Sequence, residues 1–194
     1  SAANSNTAPA SGRVTILGDV TVILPDTTLT VATLNTLIGY STGLVDATTV
    51  TTLTGSTTDV NTAFIAFADG KITSLGNEAV TLTDTAVFAE TVVAIDSATS
   101  GAINATNVMA LTGSASNANS ALTSAGLTNF DGDEAVTLTD TSLAAATLNT
   151  LDGNTTGAVD AATVTTITGT AVAIVTVAQS SSITTAANYA ATVD

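Results

Sequence analysis

The octapeptide EAVTLTDT stands at Glu78–Thr85 and again, letter for letter, at Glu134–Thr141, 56 positions later. A chain that restates a phrase at such a period is read first as an array of similar layers, because each layer must bury its apolar face on a neighbour. Other anchors keep the same step. Thr42-Gly43, Ser100-Gly101 and Thr156-Gly157 form one series. Thr54-Gly55, Thr112-Gly113 and Thr168-Gly169 form a second, and Asp26, Asp84 and Asp140 a third. All three advance by 58 residues and then by 56, and STGLVDATTVTTLTG (41–55) matches TTGAVDAATVTTITG (155–169) at 11 of 15 positions. The two additional residues of the first step lie between Gly55 and Asp84. The sequence places them around IAFADGK (65–71), in a connection, where length is tolerated.

Within a copy the periodicity changes. AVTLTDT alternates apolar and polar, the pattern of a half-buried strand. SLAAATLNTLDG follows in the third copy, with Leu143, Thr147, Leu148 and Leu151 at helical spacing, Asp140-Thr141 where an N-cap is wanted and Gly153 where a helix stops. GAVDAATVTTITG then spaces Val159, Ala161, Val164 and Ile167 about three apart, which predicts a short helix capped by Asp160 and ended by Gly169. STTDVNTAFIAFADG in the first copy puts Val60, Ala63, Phe64 and Phe67 on one helical face. The expected fold is an α/β repeat protein. It is a solenoid of three units of ~57 residues, each one short strand plus two or three short helices. The structural alternative is an all-β solenoid, in which the Thr-Gly pairs become corners and VTTLTG a strand, since Thr favours strands over helices. Residues 1–12 read as a flexible leader, and 13–194 as a single three-unit repeat domain with units about 13–71, 72–127 and 128–194.

Composition limits the chemistry. Thr supplies 43 of the 194 residues and aromatics only 3%, so the core is thin and made of small aliphatic groups, as suits stacked layers. Sixteen acids face Arg13 and Lys71 alone, for a net charge of −14, which excludes phosphate neutralisation and so nucleic acid and anionic membranes as partners. The longest apolar run, AVAIVTVA (171–178), falls short of a membrane span. With neither His nor Cys, the chain lacks nucleophile–His pairs, thiolate sites and disulfides. The recurring acids, Asp26, Asp84 and Asp140 in one register and Asp46, Asn104 and Asp160 in another, read as caps, because Asn replaces Asp in a cap but not as a general acid. No enzyme is expected.

One acidic cluster breaks this pattern. NFDGDE (129–134) sets Asp131, Asp133 and Glu134 around Gly132, a set of hard oxygen ligands suited to calcium, with a solvated acidic turn as the competing reading. It lacks the EF-hand spacing and the nonapeptide of calcium β-rolls. The matching SLGNE of the second copy keeps only Asn77 and Glu78. No other metal or cofactor is expected.

The ends differ from the middle. VTVILPDT (20–27) stands in the first copy where EAVTLTDT stands in the others, preceded by the strand-like RVTIL (13–17), and AVAIVTVA replaces the polar helical segments of the earlier copies. Repeat arrays end in polar caps when they must be soluble alone. Apolar ends at Val20–Leu24 and Ala171–Ala178 therefore predict a homo-oligomer formed through them.

EAVTLTDT followed by LAAATLNTLDGNTTGAVDAATVTTITGTA resembles the Thr/Ala-rich tandem repeats of very large secreted bacterial surface proteins, haemolysin-like or adhesin-like, notably of marine cyanobacteria. The resemblance spans Gly18 to about Thr185 and carries over no catalytic or binding residue. It implies an extracellular or cell-surface location, and the polar SAANSNTAPAS start reads as what remains after a signal peptide is removed. The expected function is a secreted structural subunit that assembles end to end into a fibre, sheath or surface layer. The alternatives are an adhesin-type module that binds a glycan or a surface with calcium, and an ice-binding protein that uses its Thr-x-Thr phrases.

Overall fold

The computed structural model describes residues 17–194, so the leader (1–12), Arg13 and most of the RVTIL run lie outside the described residues. The chain is mixed α/β, with short strands that pair in parallel and six helices among the described residues. It divides into two compact units. One runs to Asp84 and takes in Ala94–Ala105; the other is Thr85–Val93 with Thr106–Asp194.

The first unit contains, in chain order, β1 (Val22–Ile23), β2 (Thr28–Thr30), α1 (Val31–Tyr40), β3 (Val45–Asp46), β4 (Thr52–Gly55), α2 (Thr57–Ala68), β5 (Ile72–Thr73) and β6 (Ala79–Leu82). Strand β7 (Ala86–Phe88) belongs to the second unit, α3 (Ala89–Ala98) is shared between the two, and β8 (Ile103–Asn104) returns to the first. The second unit continues with β9 (Ala110–Gly113), α4 (Ala115–Leu122), β10 (Leu127–Thr128), β11 (Ala135–Leu138), β12 (Ser142–Ala144) and α5 (Ala145–Asn154). It ends with β13 (Val159–Ala161), β14 (Thr166–Gly169), α6 (Ala171–Gln179), β15 (Ile183–Thr185) and β16 (Ala190–Val193).

Parallel pairing sets residues 23–27 positions apart, about half the sequence repeat, into columns of aliphatic side chains. In the first unit Leu29, Leu53, Val80 and Ile103 stand in register along β2, β4, β6 and β8, all buried. In the second, Val87, Leu111, Val136, Val159 and Ile183 do the same along β7, β9, β11, β13 and β15. Each such side chain removed from water contributes roughly 1.5–3 kcal/mol, and because the columns are aliphatic they stack without aromatic bulk. The helices close over them with Val31, Leu34 and Leu37 on α1, Val60, Ala63 and Phe64 on α2, and Leu148 and Leu151 on α5.

These columns explain the repeated octapeptide. β6 pairs on one side with β4, a strand that runs into a helix, and on the other with β8, a strand that leaves one. β11 does the same between β9 and β13. EAVTLTDT is thus the strand at which a column changes from helix-entering to helix-leaving strands. Its alternation buries Val80 and Leu82, or Val136 and Leu138.

Three expectations need correction. GAVDAATVTTITG forms two strands, β13 and β14, rather than a helix. Its β-branched residues suit a pleated surface, and the Asp160 carboxylate accepts from Ala162 N–H at 2.9 Å in a tight turn instead of capping a helix. A copy therefore contains several short strands and two helices, not one strand with two or three helices. The helices likewise rule out the all-β alternative. Finally, Asp140-Thr141 is not the N-cap of α5, since β12 intervenes and the cap position is Ala144, with no side-chain bond.

Candidate functional site

The recurring aspartates do cap helices, but those of the preceding turn. Asp84 Oδ2 accepts from Thr57 N–H at 2.6 Å, and Asp140 Oδ2 accepts from Ala115 N–H at 2.7 Å, at the starts of α2 and α4. Ser56 and Ser114 supply the local caps, accepting from Asp59 and Asn117 N–H at 3.1 and 3.2 Å. Each of these helices thus begins with two orphan donors satisfied and a carboxylate at its positive end. Asp46 and Asp160 make turns. Asp46 Oδ1 accepts from Thr48 Oγ1–H and from Thr48 N–H at 3.0 Å, and those bonds, the hydroxyl foremost, hold its carboxyl below the usual range. All these acids serve the backbone.

The loop between β10 and β11 is different. Its counterpart between β5 and β6 runs Ser74-Leu75-Gly76-Asn77-Glu78. Ser74 (φ 64°) and Asn129 (φ 57°) open the two loops in the left-handed region, and Gly76 (φ 116°) and Gly132 (φ 76°) occupy it again before the glutamate. With those landmarks aligned, Leu75 answers to Phe130, Asn77 to Asp133 and Glu78 to Glu134, which leaves Asp131 as an inserted residue. The 56-residue step therefore combines a helical segment three residues shorter than in the first copy (Ser56 to Ile72 against Ser114 to Leu127) with this one-residue insertion. The connection around IAFADGK is thus three residues longer in the first copy, and the Asp131 insertion brings the net difference down to two.

Both glutamates are buried, with 0% of their surface exposed. Their environments differ. Glu78 Oε2 accepts from the N–H groups of Gly76 at 2.7 Å and Asn77 at 3.2 Å, leaving only Oε1 without a partner. At Glu134 neither oxygen has a hydrogen-bond partner. Asp131 and Asp133, both exposed, bring their carboxylates to it, so that one oxygen from each of the three lies within 4.8 Å of the others. Burial pushes the Glu134 carboxyl above the usual range, and the Asp131 and Asp133 charges add to the rise. The nearby backbone N–H groups of Glu134 and Asp131 pull the other way without reaching hydrogen-bond geometry.

The segment after α5 holds this loop in place. Thr155 Oγ1–H donates to Glu134 O at 2.7 Å, and Thr156 N–H donates to Gly132 O at 2.6 Å. Gly157 packs so closely that a Cβ there would sit 2.4 Å from the carbonyl oxygens of Asp133 and Glu134. Thr99, Ser100 and Gly101 dock on the Gly76–Glu78 loop in the same way. The Thr-Gly series of the sequence is thus the clamp on the glutamate loop. The structure unites Asp131, Asp133 and Glu134 as the sequence pattern anticipates. It adds two facts the pattern does not contain, the insertion that brings Asp131 in and the unpartnered burial of Glu134.

Other surfaces carry less. The outward threonines form short in-register columns, Thr28 and Thr52 ending at Ala79, and Thr30, Thr54 and Thr81 ending at Asn104. In the second unit, Phe88 and Asp160 stand in the Thr112–Thr137 column. Of the apolar end segments, Ile23 is 70% and Val172 78% exposed, whereas Leu24 and Val177 are buried. No helix among the described residues is long and apolar enough to cross a membrane. No family model, curated protein or solved structure matches the chain.

Proposed function

We propose that the protein is an extracellular structural subunit, a solenoid of parallel turns that associates end to end with further copies of itself. One observation carries the reading: among the described residues, the parallel sheets end in strands that pair on one side. Among the described residues β1 and β2 pair with β3 and β4 alone, and β15 and β16 with β13 and β14 alone, while β5, β10, β7 and β12 end the same sheets on their other sides. Such an edge takes another parallel strand of the same pattern through its free N–H and C=O groups. The side chains there are uncharged, apolar at Ile23 and the 61% exposed Val193 and threonine at several other positions, and the chain has almost no Lys to guard an edge. The likeness to tandem repeats of secreted surface proteins supports the same reading, as does an acid population used for caps and turns.

Sedimentation velocity over a wide concentration range tests it. The wild-type chain is expected to form larger species as concentration rises, and Ile23→Lys and Val193→Lys to suppress them while keeping the circular dichroism of the wild type. A wild-type chain that stays monomeric throughout would sink the proposal.

A further inference from the structure

The chain carries its own control for Glu134. Glu78 heads the same octapeptide, is equally buried and is clamped by the same Thr-Gly motif, and its loop turns two backbone N–H groups onto the carboxylate. The loop before Glu134 has one residue more, and neither oxygen finds a donor. An ionised carboxylate buried without partners is costly. Protonation relieves the charge but leaves the acceptor oxygens of the carboxyl without a donor. A cation held among the three carboxylates answers both the charge and the unmet oxygens. It is not a side chain: no Lys or Arg occurs in Thr85–Val93 or Thr106–Asp194, the whole of this unit.

We propose that Asp131, Asp133 and Glu134 bind one calcium ion. The donor set is oxygen only, which selects a hard cation. Two oxygens bound to the same calcium can stand at most roughly 4.6–5.2 Å apart, twice the usual Ca–O distance, whereas for magnesium the limit is roughly 4.0–4.2 Å. Three carboxylate oxygens within 4.8 Å of one another are close enough for calcium to draw together by side-chain rotation of the two exposed aspartates. The clamp at Thr155–Gly157 already fixes the backbone, so binding orders little beyond the two exposed aspartates. The inserted Asp131, with Asp133 in place of Asn77, distinguishes this loop from the Gly76–Glu78 loop, which the proposal leaves without calcium.

Isothermal titration of the full chain with calcium chloride, after chelation, tests the site, together with thermal melts in calcium and in magnesium. One calcium per chain is expected, with Kd on the order of 10⁻⁴–10⁻³ M as in other extracellular sites. Free calcium at about 100 times Kd is expected to raise Tm by roughly 5–11 °C. Asp131→Asn and Asp133→Asn, both at exposed positions, should weaken binding about 10-fold or more. Glu134→Gln should abolish it while raising Tm in the absence of calcium, since it removes the unpaired buried charge. Glu78→Gln should bind calcium as the wild type does. No heat and no Tm shift at 10-fold the upper Kd would overturn the proposal, as would magnesium binding of equal strength, or Glu78→Gln losing calcium as Glu134→Gln does. Binding is counted per chain, so its failure is distinguishable from a failure to self-associate.

Discussion

Replacing Gly101 with alanine is expected to damage the fold severely, for reasons of space rather than of backbone angle. A Cβ at this position would lie 2.1 Å from Glu78 O, 2.4 Å from Glu78 C and 2.8 Å from Ala79 N, all backbone atoms of the adjacent turn. Backbone cannot swing aside as a side-chain tip does, so the two turns must separate. That strains three bonds of the clamp: Thr99 Oγ1–H to Glu78 O at 3.0 Å, Ser100 N–H to Gly76 O at 2.8 Å and Gly101 N–H to Thr99 Oγ1 at 3.0 Å. Overpacking costs about 1–3 kcal/mol, and losing two such hydrogen bonds about 1–3 kcal/mol more. The expected loss is therefore about 2–6 kcal/mol, a large part of the stability of an ordinary domain. Gly39 in α1 is the control: nothing lies within 4 Å of its Cβ position, so Gly39→Ala should stabilise by about 0.5–1 kcal/mol. Urea denaturation of both variants at one temperature is the assay. Gly101→Ala within 0.5 kcal/mol of wild type would refute the reasoning, because the close approach would then not constrain the turn.

Two further outcomes follow from the carboxylates. The folded-state pKa of Glu134 is raised, so the folded chain holds this proton more tightly than the unfolded chain; its contribution is present in acid and is lost as pH rises above the ordinary Glu value of about 4.3. In calcium-free buffer Glu134→Gln should therefore melt above the wild type at pH 7, with the difference closing on acidification, and superimposable pH profiles of Tm would contradict it. Asp140→Ala leaves Ala115 N–H at the start of α4 without its acceptor and should cost about 0.5–2 kcal/mol by thermal denaturation. Asp140→Asn, which keeps an oxygen acceptor, should recover most of that loss.

Much of the architecture is legible in the order of residues. The steps of 58 and 56 link equivalent strands of three different sheets, as Leu53, Leu111 and Ile167 show, each buried in a strand that enters a helix. The alternation of AVTLTDT is the strand that the structure contains, and the apolar face of STTDVNTAFIAFADG is the helix α2. Where reading failed, it failed on short segments. Val159, Ala161, Val164 and Ile167 fit a helical spacing, yet the same residues also fit two strands broken by an Asp turn, and a span of 13 residues holds too few periods to choose. Parallel neighbours on both sides decided it, since β13 and β14 each complete a sheet.

The capping partners and the glutamates were not legible for a related reason. Asp84 and Asp140 look local because a cap lies close in sequence in most helices, but here the helix served is one turn back, 27 and 25 residues away. The sequence by itself determined the chemistry each turn can offer: small aliphatic columns, Asp and Ser for helix starts, Gly where the backbone comes too close for a side chain, and no cationic partner in the second unit. Only the tertiary structure decided which of those groups meet. Glu78 and Glu134 head the same eight letters, yet one is held by two backbone donors and the other by none. The loop before Glu134 carries one inserted aspartate and turns no N–H group onto the carboxylate, and that distinction exists only once strands and loops are packed.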